Sequence, residues 1–126
     1  MSRKIIRTEK APAPIGPYSQ AVQHGNLLFV SGQIALNPAT NELITFSIGD
    51  ETRQVMENIG AILSEAGMDY SNILKASIFI SDMNNFGKIN EVYGQYFQVD
   101  PPARETVQVA RLPRDVNVEI SVIAAS

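Results

Sequence analysis

Residues 50–66, DETRQVMENIGAILSEA, decide the fold, because the spacing of the apolar residues changes there. Apolar side chains recur every three or four positions, at Val55, Met56, Ile59, Ile62, Leu63 and Ala66. This periodicity predicts an amphipathic helix over Asp50–Ala66. We expect Asp50 to cap its first turn and Gly67 to end it. The segments on both sides have the pattern of strands.

Three strands are predicted before this helix, over Lys4–Thr8, Tyr18–Gln23 and Leu27–Ile34. Residues 11–17 contain three prolines, which favour an ordered loop over a helix or a central strand. The break at residues 24–26, His-Gly-Asn, predicts a hairpin between the second and third strands.

The segments after the helix complete an alternating pattern. The predicted elements are a strand over Ile73–Ile80, a helix from Asn84 or Asn85 to the prolines at 101 and 102, and strands over Arg104–Ala110 and Val116–Ala124. The last two strands are expected to form a hairpin that folds near Leu112 and Pro113. This order predicts an α+β fold, with a mixed β-sheet and two helices packed on one face, in a single domain over residues 1–126.

Composition and charge narrow the possible functions. The net charge is −3 and the pI about 5.0, so the chain lacks the positive charge that attracts nucleic acid. It has no cysteine and one histidine, His24, which excludes a thiolate nucleophile and disfavours a metal site. We expect no metal and no cofactor. No apolar run has the length of a signal peptide or a membrane span, so a cytoplasmic protein without a membrane partner is expected.

The sheet face that the helices leave uncovered is predicted to be mixed in character, because side chains alternate between the two faces of a strand. Val107 and Val109 are expected to face the helices. The expected members of the other face are Ser77 and Phe79, then Arg104, Thr106 and Gln108, then Asn117, Glu119, Ser121 and Ile123, and either Leu27, Phe29 and Ser31 or Leu28, Val30 and Gly32. Such a patch marks association, so we expect it to be buried against other copies of the chain in a closed symmetric oligomer.

Arg104 and Glu119 are charges within apolar strand patterns, and two interpretations stand open. If the last two strands form a hairpin, the two side chains lie nearly opposite each other as a salt bridge worth less than about 1 kcal/mol. Alternatively, they form an active site. Arg104 then binds a substrate carboxylate through two parallel hydrogen bonds, and Glu119 holds or deprotonates a water for hydrolysis of a small anion.

Four segments of the sequence resemble a known family: APIGPYSQA (13–21), VSGQI (30–34), PARETVQVARLP (102–113) and VEI (118–120). In this order, from about Ile5 to Ala124, the chain resembles the Rid/YjgF family of reactive intermediate deaminases, also labelled endoribonuclease L-PSP-like. The resemblance implies a chorismate-mutase-like α+β domain. It also implies a homotrimer with active sites between subunits.

The resemblance further implies a reaction, the hydrolysis of 2-imino acids and their enamine tautomers, such as 2-aminoacrylate, to 2-keto acids and ammonia. An imine is already electrophilic, so the enzyme mainly has to position it and place a water. By the family's motifs, Arg104 binds the substrate carboxylate, Glu119 orients or activates the water, Tyr18 lines the pocket and donates a hydrogen bond, and Ser31, the Gly32 backbone, Asn90 and Thr106 complete the substrate-binding wall.

One departure from the family pattern and two competing functions remain. Relatives usually carry a small residue after the motif arginine, where this chain has Glu105. Alternation turns Glu105 away from the pocket, whereas a twist would let it pair with Arg104 and compete with substrate.

The same pocket in a non-catalytic protein would bind a 2-keto acid or another small metabolite for regulation. An endoribonuclease or translation inhibitor, a label that some relatives bear, is disfavoured by the net charge of −3.

Overall fold

The fold is built on a six-stranded sheet and two helices. The computed structural model describes residues 2–126, so the predicted domain start at Met1 lies outside the described residues. The strands are β1 (Lys4–Ile6), β2 (Ala21–His24), β3 (Leu27–Gln33), β4 (Ile73–Ile80), β5 (Ala103–Gln108) and β6 (Val118–Ala125). The helices are α1 (Ile48–Glu65) and α2 (Phe86–Gly94). The predicted α+β class and the predicted order of elements are confirmed.

The strand order in the sheet is β1-β2-β3-β6-β4-β5. β4 and β5 are parallel, with α2 between them in the chain, and the other neighbours are antiparallel, so the sheet is mixed as predicted. The predicted hairpin of the last two strands is wrong, because β4 lies between β5 and β6. A crossover helix allows β5 to pair in parallel with β4, and the segment after β5 then carries the chain past β4.

Helix α1 covers the sheet with an apolar inner face. Val55, Met56 and Ile59 have no exposed surface, and burial of one such side chain contributes about 1.5–3 kcal/mol. The helix starts earlier than predicted, because the Ser47 hydroxyl accepts a hydrogen bond from the Asp50 backbone N–H at 3.1 Å. Asp50 therefore lies in the first turn and is not the cap. Gly67 follows the helix with a φ of 74°, as expected of a residue that ends one.

Helix α2 starts after Asn85, as predicted, but ends at Gly94, well before the prolines expected to stop it. Tyr96 and Phe97 leave the helix and pack around Tyr70, with ring centroids 4.9 and 6.4 Å away. Contacts between aromatic rings thus override the helical periodicity of this segment. Among residues 2–126, no helix combines the length and the apolar content that crossing a membrane requires.

The sheet face away from the helices, called the open face below, has the mixed character predicted for it. Leu28 and Val30 are buried under the helices, so the third strand presents Leu27, Phe29 and Ser31 to the open face. Phe29 remains 45% exposed there. β6 and β4 follow their predicted alternation, since Val118, Ile120 and Ile78 are buried on the helix side.

The predicted facing of the β5 side chains is wrong, because the residues predicted on the open face lie on the helix side and the reverse. Arg104 pairs with Ala76 and Thr106 with Ile78, and both β4 partners are buried under the helices. Arg104, Thr106 and Gln108 therefore face the helix side, and Val107 faces the open side. β5 is an edge strand, so a charged side chain on its inner face still reaches solvent. The alternation of apolar and polar residues along β5 therefore does not indicate which of its faces lies under the helices.

Candidate functional site

A pocket of about 360 Å³ opens beside the end of β3. It is called the Glu119 pocket below, and it is lined by Ile15, Tyr18, Ser31, Gly32, Ile34, Pro113 and Glu119. The structure thus brings together four predicted site residues, Tyr18, Ser31, Gly32 and Glu119. The three apolar lining residues were not predicted. The available signal was their position inside the same family-like segments.

The pocket exists because the ladder between β3 and β6 is broken. Val30 pairs with Val122 and Gln33 with Ile120, so β3 carries one extra residue between these pairs. Gly32 lies in this bulge, and a Cβ atom on it would sit 2.7 Å from Oε2 and 2.9 Å from Cδ of Glu119. Only glycine lets the Glu119 side chain lie this close to the β3 backbone.

Ser31 and Tyr18 differ in how their hydroxyl groups are used. The Ser31 hydroxyl donates to the Ser19 carbonyl at 2.6 Å, so its oxygen remains available mainly as an acceptor. The Tyr18 side chain is 48% exposed, and its hydroxyl oxygen accepts a long hydrogen bond of 3.4 Å from the Ile15 backbone N–H. This leaves the phenolic hydrogen of Tyr18 available for donation to a ligand.

Gln20 holds the proline-rich loop that carries Ile15 and Tyr18. This side chain is buried, and its amide nitrogen donates to the carbonyl groups of Thr8, Ala11 and Pro12 at 2.9–3.2 Å. Its amide oxygen accepts from the Thr8 backbone N–H at 2.7 Å. A loop rich in proline cannot satisfy its carbonyls through its own N–H groups, so a side-chain donor replaces them. No pattern in the sequence indicates this role of Gln20.

Glu119 is the titratable group whose environment best suits chemistry with water. It stands on β6, half-buried, beside Phe79 of β4. Burial raises the pKa of its carboxyl group above the ordinary value of 4.5. Within residues 2–126, Glu119 takes part in no ion pair. A carboxyl group of this kind is able to orient a water molecule and accept its proton.

Three further predicted site residues, Asn90, Arg104 and Thr106, lie at the edge of the sheet between β5 and α2. Together with Phe86 and Tyr93, which were not predicted as site residues, they are called the Arg104 cluster. Nη1 of Arg104 donates to Oδ1 of Asn90 at 2.6 Å. The Cζ atom of Arg104 lies 5.6 Å from the ring centroid of Phe86 and 5.3 Å from that of Tyr93, which are cation–π distances. The exposed guanidinium keeps further N–H donors for a ligand.

Two hydroxyl groups of the Arg104 cluster are buried without a hydrogen-bond partner in the described part of the chain, those of Tyr93 and Thr106. An unsatisfied buried hydroxyl costs about 1–3 kcal/mol. Burial also raises the pKa of Tyr93, an effect that the nearby Arg104 partly opposes. Two such hydroxyls beside an exposed guanidinium are typical of a site that is completed by a ligand or another chain.

Within one chain, the Glu119 pocket and the Arg104 cluster are separate. Glu119 pairs with Phe79 and Arg104 with Ala76, on either side of β4, and the two side chains point to opposite faces of the sheet. Two strand spacings alone separate their backbones by about 10 Å. The predicted placement of these residues opposite each other in a hairpin is wrong, and the cross-strand salt bridge between them is excluded.

Glu105 points to the open face, away from Arg104, as alternation predicts. It forms a salt bridge of 3.1 Å with Lys75 and accepts a hydrogen bond from the Ser77 hydroxyl. The Ser77 hydrogen bond and then Lys75 hold the pKa of the Glu105 carboxyl below its ordinary value. Glu105 therefore does not compete for the guanidinium of its own chain. Between residues 2 and 126, no cluster of three or more histidine, cysteine, aspartate or glutamate side chains has the geometry to hold a metal ion.

Comparison with known proteins agrees with this architecture. A family model described as Endoribonuclease L-PSP matches residues 8–126. A mouse protein named 2-iminobutanoate/2-iminopropanoate deaminase is 48% identical, over 97% of this chain and 90% of its own length. YyfA of Yersinia pestis, a Rid family protein, has a TM-score of 0.96 at 44% identity and covers 99% of this chain and 100% of its own. Escherichia coli TdcF, solved with bound serine, has a TM-score of 0.94 at 47% identity over 98% of each chain.

These similarities span nearly the whole chain, and they include both the sheet and the segments that form the pocket. The chain therefore belongs to the endoribonuclease L-PSP family, which is the Rid/YjgF family that its motifs resemble. Relatives carry different names, including RutC family protein and deaminase, so membership does not by itself determine the reaction.

Proposed function

We propose that this protein hydrolyses 2-imino acids and their enamine tautomers to 2-keto acids and ammonia. The observation that carries the proposal is the half-buried Glu119 carboxyl, with its raised pKa, in a pocket lined by Tyr18, Ser31 and Gly32. The deaminase name of the mouse relative at 48% identity supports the same reaction. We expect it to take place in the cytoplasm, after pyridoxal-phosphate enzymes have released the imine.

Arg104 is the proposed binding group for the substrate carboxylate. Asn90 accepts from one guanidinium nitrogen, and the rings of Phe86 and Tyr93 hold the guanidinium plane in place. A positioned guanidinium binds a carboxylate through two parallel hydrogen bonds, which fixes both the location and the orientation of the ligand. The Thr106 hydroxyl, on the same side of β5, has no partner in the described part of the chain and is a candidate for a further contact.

The separation of Arg104 from Glu119 in one chain leads us to propose that each active site combines two copies. One copy supplies the Glu119 pocket and the next supplies the Arg104 cluster, in a closed homotrimer. The open face leaves Phe29 45% and Val107 43% exposed, which favours burial of this face between copies.

In the proposed reaction, a water held by Glu119 attacks the C=N carbon of the imine. Glu119 takes one proton from the water, and a C–O bond forms as the C=N double bond becomes a single bond. That proton passes to the nitrogen and gives a carbinolamine. The carbinolamine hydroxyl then gives up its proton through Glu119 to the amine nitrogen, the C–O bond becomes a C=O double bond as the C–N bond breaks, and the products are a 2-keto acid and ammonia. Tyr18 donates a hydrogen bond to the reacting group. Positioning the electrophile against a placed water accounts for most of the rate increase in such a scheme.

The direct test is ammonia release from 2-aminoacrylate that a pyridoxal-phosphate dehydratase produces in the same cuvette. We expect the pure protein to accelerate ammonia formation in proportion to its concentration, above the spontaneous rate in buffer. A rate equal to that in buffer over a wide range of protein concentration would contradict the proposal.

A second candidate function is non-catalytic binding of a small metabolite. It is favoured by one specific observation, the bound serine in the structure of Escherichia coli TdcF. Serine carries a carboxylate that an arginine can bind but has no imine to hydrolyse. Binding of a 2-keto acid or of serine by calorimetry, together with a failed ammonia assay, would identify this function.

A further inference from the structure

Glu51 of α1 is a buried carboxyl group that the proposed reaction does not use. It has no exposed surface, although it lies near the start of an amphipathic helix. Its inward position is unusual because acidic side chains are almost never fully buried unless they are paired. Among residues 2–126, no ion pair involves Glu51.

The Glu51 carboxyl group accepts hydrogen bonds from the start of β6. Oε2 accepts from the backbone N–H groups of Asn117 and Val118, at 2.7 and 3.3 Å. Oε1 accepts from the side-chain amide of Asn117 at 2.8 Å. All three donors belong to the two residues directly before Glu119.

The backbone N–H of Val118 needs an acceptor because β3 no longer pairs with this part of β6. The last pair of that ladder is Gln33 with Ile120, beyond the bulge that makes room for Glu119. On the other side of β6, Asn117 is held by the residue that follows β4, since its carbonyl accepts from the Ser81 N–H at 3.1 Å. Glu51 therefore supplies the acceptor for the backbone N–H groups of residues 117 and 118 at the start of β6.

We propose that Glu51 is a positioning residue for the proposed deamination, and that it acts by holding residues 117 and 118 so that the Glu119 carboxyl stays against Gly32. This inference rests on the proposed function for its effect on catalysis, but its effect on Glu119 is measurable without turnover. Gly32 bounds the carboxyl on one side, and the clamp on the two preceding residues fixes the backbone from which it projects. Loss of the clamp lets the start of β6 move and admits water around Glu119.

The test compares Glu51→Leu, Glu51→Asp and Glu51→Gln in the full chain. Leucine removes the carboxyl acceptor but keeps much of the side-chain volume. Aspartate keeps the carboxyl group but is one methylene group shorter, so its oxygens lie farther from residues 117 and 118. We expect either change to lower kcat by between about tenfold and a hundredfold with KM within about twofold, as misplacement of a catalytic group does. Glu51→Gln keeps an oxygen for the backbone N–H groups, and a flip of the Asn117 amide accommodates its NH₂. We expect it to restore kcat to within about threefold of the wild type.

The second readout is the titration of Glu119, followed by carbon-13 NMR of its carboxyl group. We expect its pKa to fall toward the ordinary value in Glu51→Leu and Glu51→Asp and to stay raised in Glu51→Gln. The matched control is Ile62→Val or Ile62→Ala, about three turns along the same helix, chosen for an equal loss of melting temperature. The control should change neither kcat nor the Glu119 titration.

The two readouts separate failure of this inference from failure of the proposed function. An inactive wild type would contradict the deaminase proposal, while the NMR titration would still test the position of Glu119. The inference is overturned if Glu51→Asp, which is expected to fold even if Glu51→Leu does not, leaves the Glu119 titration the same as in the Ile62 control. It is also overturned if Glu51→Gln behaves like Glu51→Asp.

Discussion

The Glu119 pocket and the Arg104 cluster carry opposite charges and are built in opposite ways. The pocket lies where a strand ladder breaks, and its carboxyl group is half-buried against the backbone of Gly32. The cluster lies on an intact edge strand, and its guanidinium is exposed, held by one amide oxygen and two rings. The Glu119 pocket is thus a cavity shaped by the backbone, whereas the Arg104 cluster presents a charged group at the edge of the sheet.

This difference is the reason for our proposal that neither region forms a complete site by itself. The pocket has a proton acceptor and space of about 360 Å³ but no cation among its lining residues. The cluster has a cation and two hydroxyls without a partner among residues 2–126, but it lies at the open edge of the sheet. Binding of a small anion requires both the positive charge of the Arg104 cluster and the enclosure of the Glu119 pocket. The proposed activity therefore depends on contact between copies of the chain.

The largest effect is expected from Arg104→Lys, which keeps the charge but removes the two-pronged donor geometry. We expect kcat/KM for ammonia release to fall between about a hundredfold and a thousandfold, the range for removing a placed donor from an active site. The oligomeric state, measured by light scattering, should not change. Full activity in this variant would show that Arg104 is not the carboxylate-binding group.

The next effect concerns Glu119→Gln, which removes the proton acceptor and keeps its shape. We expect kcat to fall about a hundredfold, and kcat of the wild type to decrease with falling pH through a pKa above 4.5. Because folding raises the pKa of Glu119, the protonated carboxyl group stabilises the folded state relative to the ionised one. This contribution to the free energy of unfolding is complete below about pH 4.5, and it is lost as pH rises through the raised pKa. The variant should therefore melt at a higher temperature than the wild type at pH 7, and a lower one would contradict burial as the cause.

A smaller effect is expected from Gly32→Ala, which tests the shape of the pocket. The added Cβ atom would lie 2.7 Å from Oε2 of Glu119, so the carboxyl group has to turn away. We expect kcat to fall about tenfold, as for a misplaced catalytic group. Gly94→Ala is the matched control, because a Cβ atom at Gly94 meets nothing within 4 Å. Equal activity of the two variants would show that contact with Gly32 does not position Glu119.

The smallest effect is expected from Tyr93→Leu, which tests the aromatic support of Arg104. A cation–π contact at a partly exposed site contributes about 0.5–1 kcal/mol, so KM should rise about threefold. Tyr93→Phe keeps the ring and should raise KM less than Tyr93→Leu does. If Phe and Leu at this position give the same KM, the ring does not hold the guanidinium.

Local sequence patterns predicted most of the elements but not how they pair. The three- and four-residue spacing predicted α1, and Gly67 marked its end, because these depend on neighbours along the chain. The pairing of β5 with β4 depends on the crossover through α2, which no local pattern contains. The prediction of a final hairpin was therefore wrong. The prediction that Arg104 lies on the sheet face away from the helices was wrong as well. The register of an edge strand is poorly determined when its inner positions are not apolar.

The candidate site was predicted as a set of residues but not as an arrangement. Family-like segments identified Tyr18, Ser31, Gly32 and Glu119, which line one pocket, and Asn90, Arg104 and Thr106, which lie together at the other region. The apolar lining and the clamps from Gln20 and Glu51 were missed. Both clamps are buried polar side chains whose hydrogen-bond partners are far away in sequence, so spacing gives no indication of them.

Mixing the two inactive variants is the most direct test of a site shared between copies. Arg104→Lys and Glu119→Gln chains are unfolded together at equal concentration, refolded, and assayed for ammonia release. In a randomly mixed homotrimer, about one quarter of the sites pair an intact Arg104 with an intact Glu119 from the next chain. The account predicts recovery of about a quarter of wild-type activity in the mixture. Activity that stays at the level of the separate variants, although mixed trimers form, would contradict it.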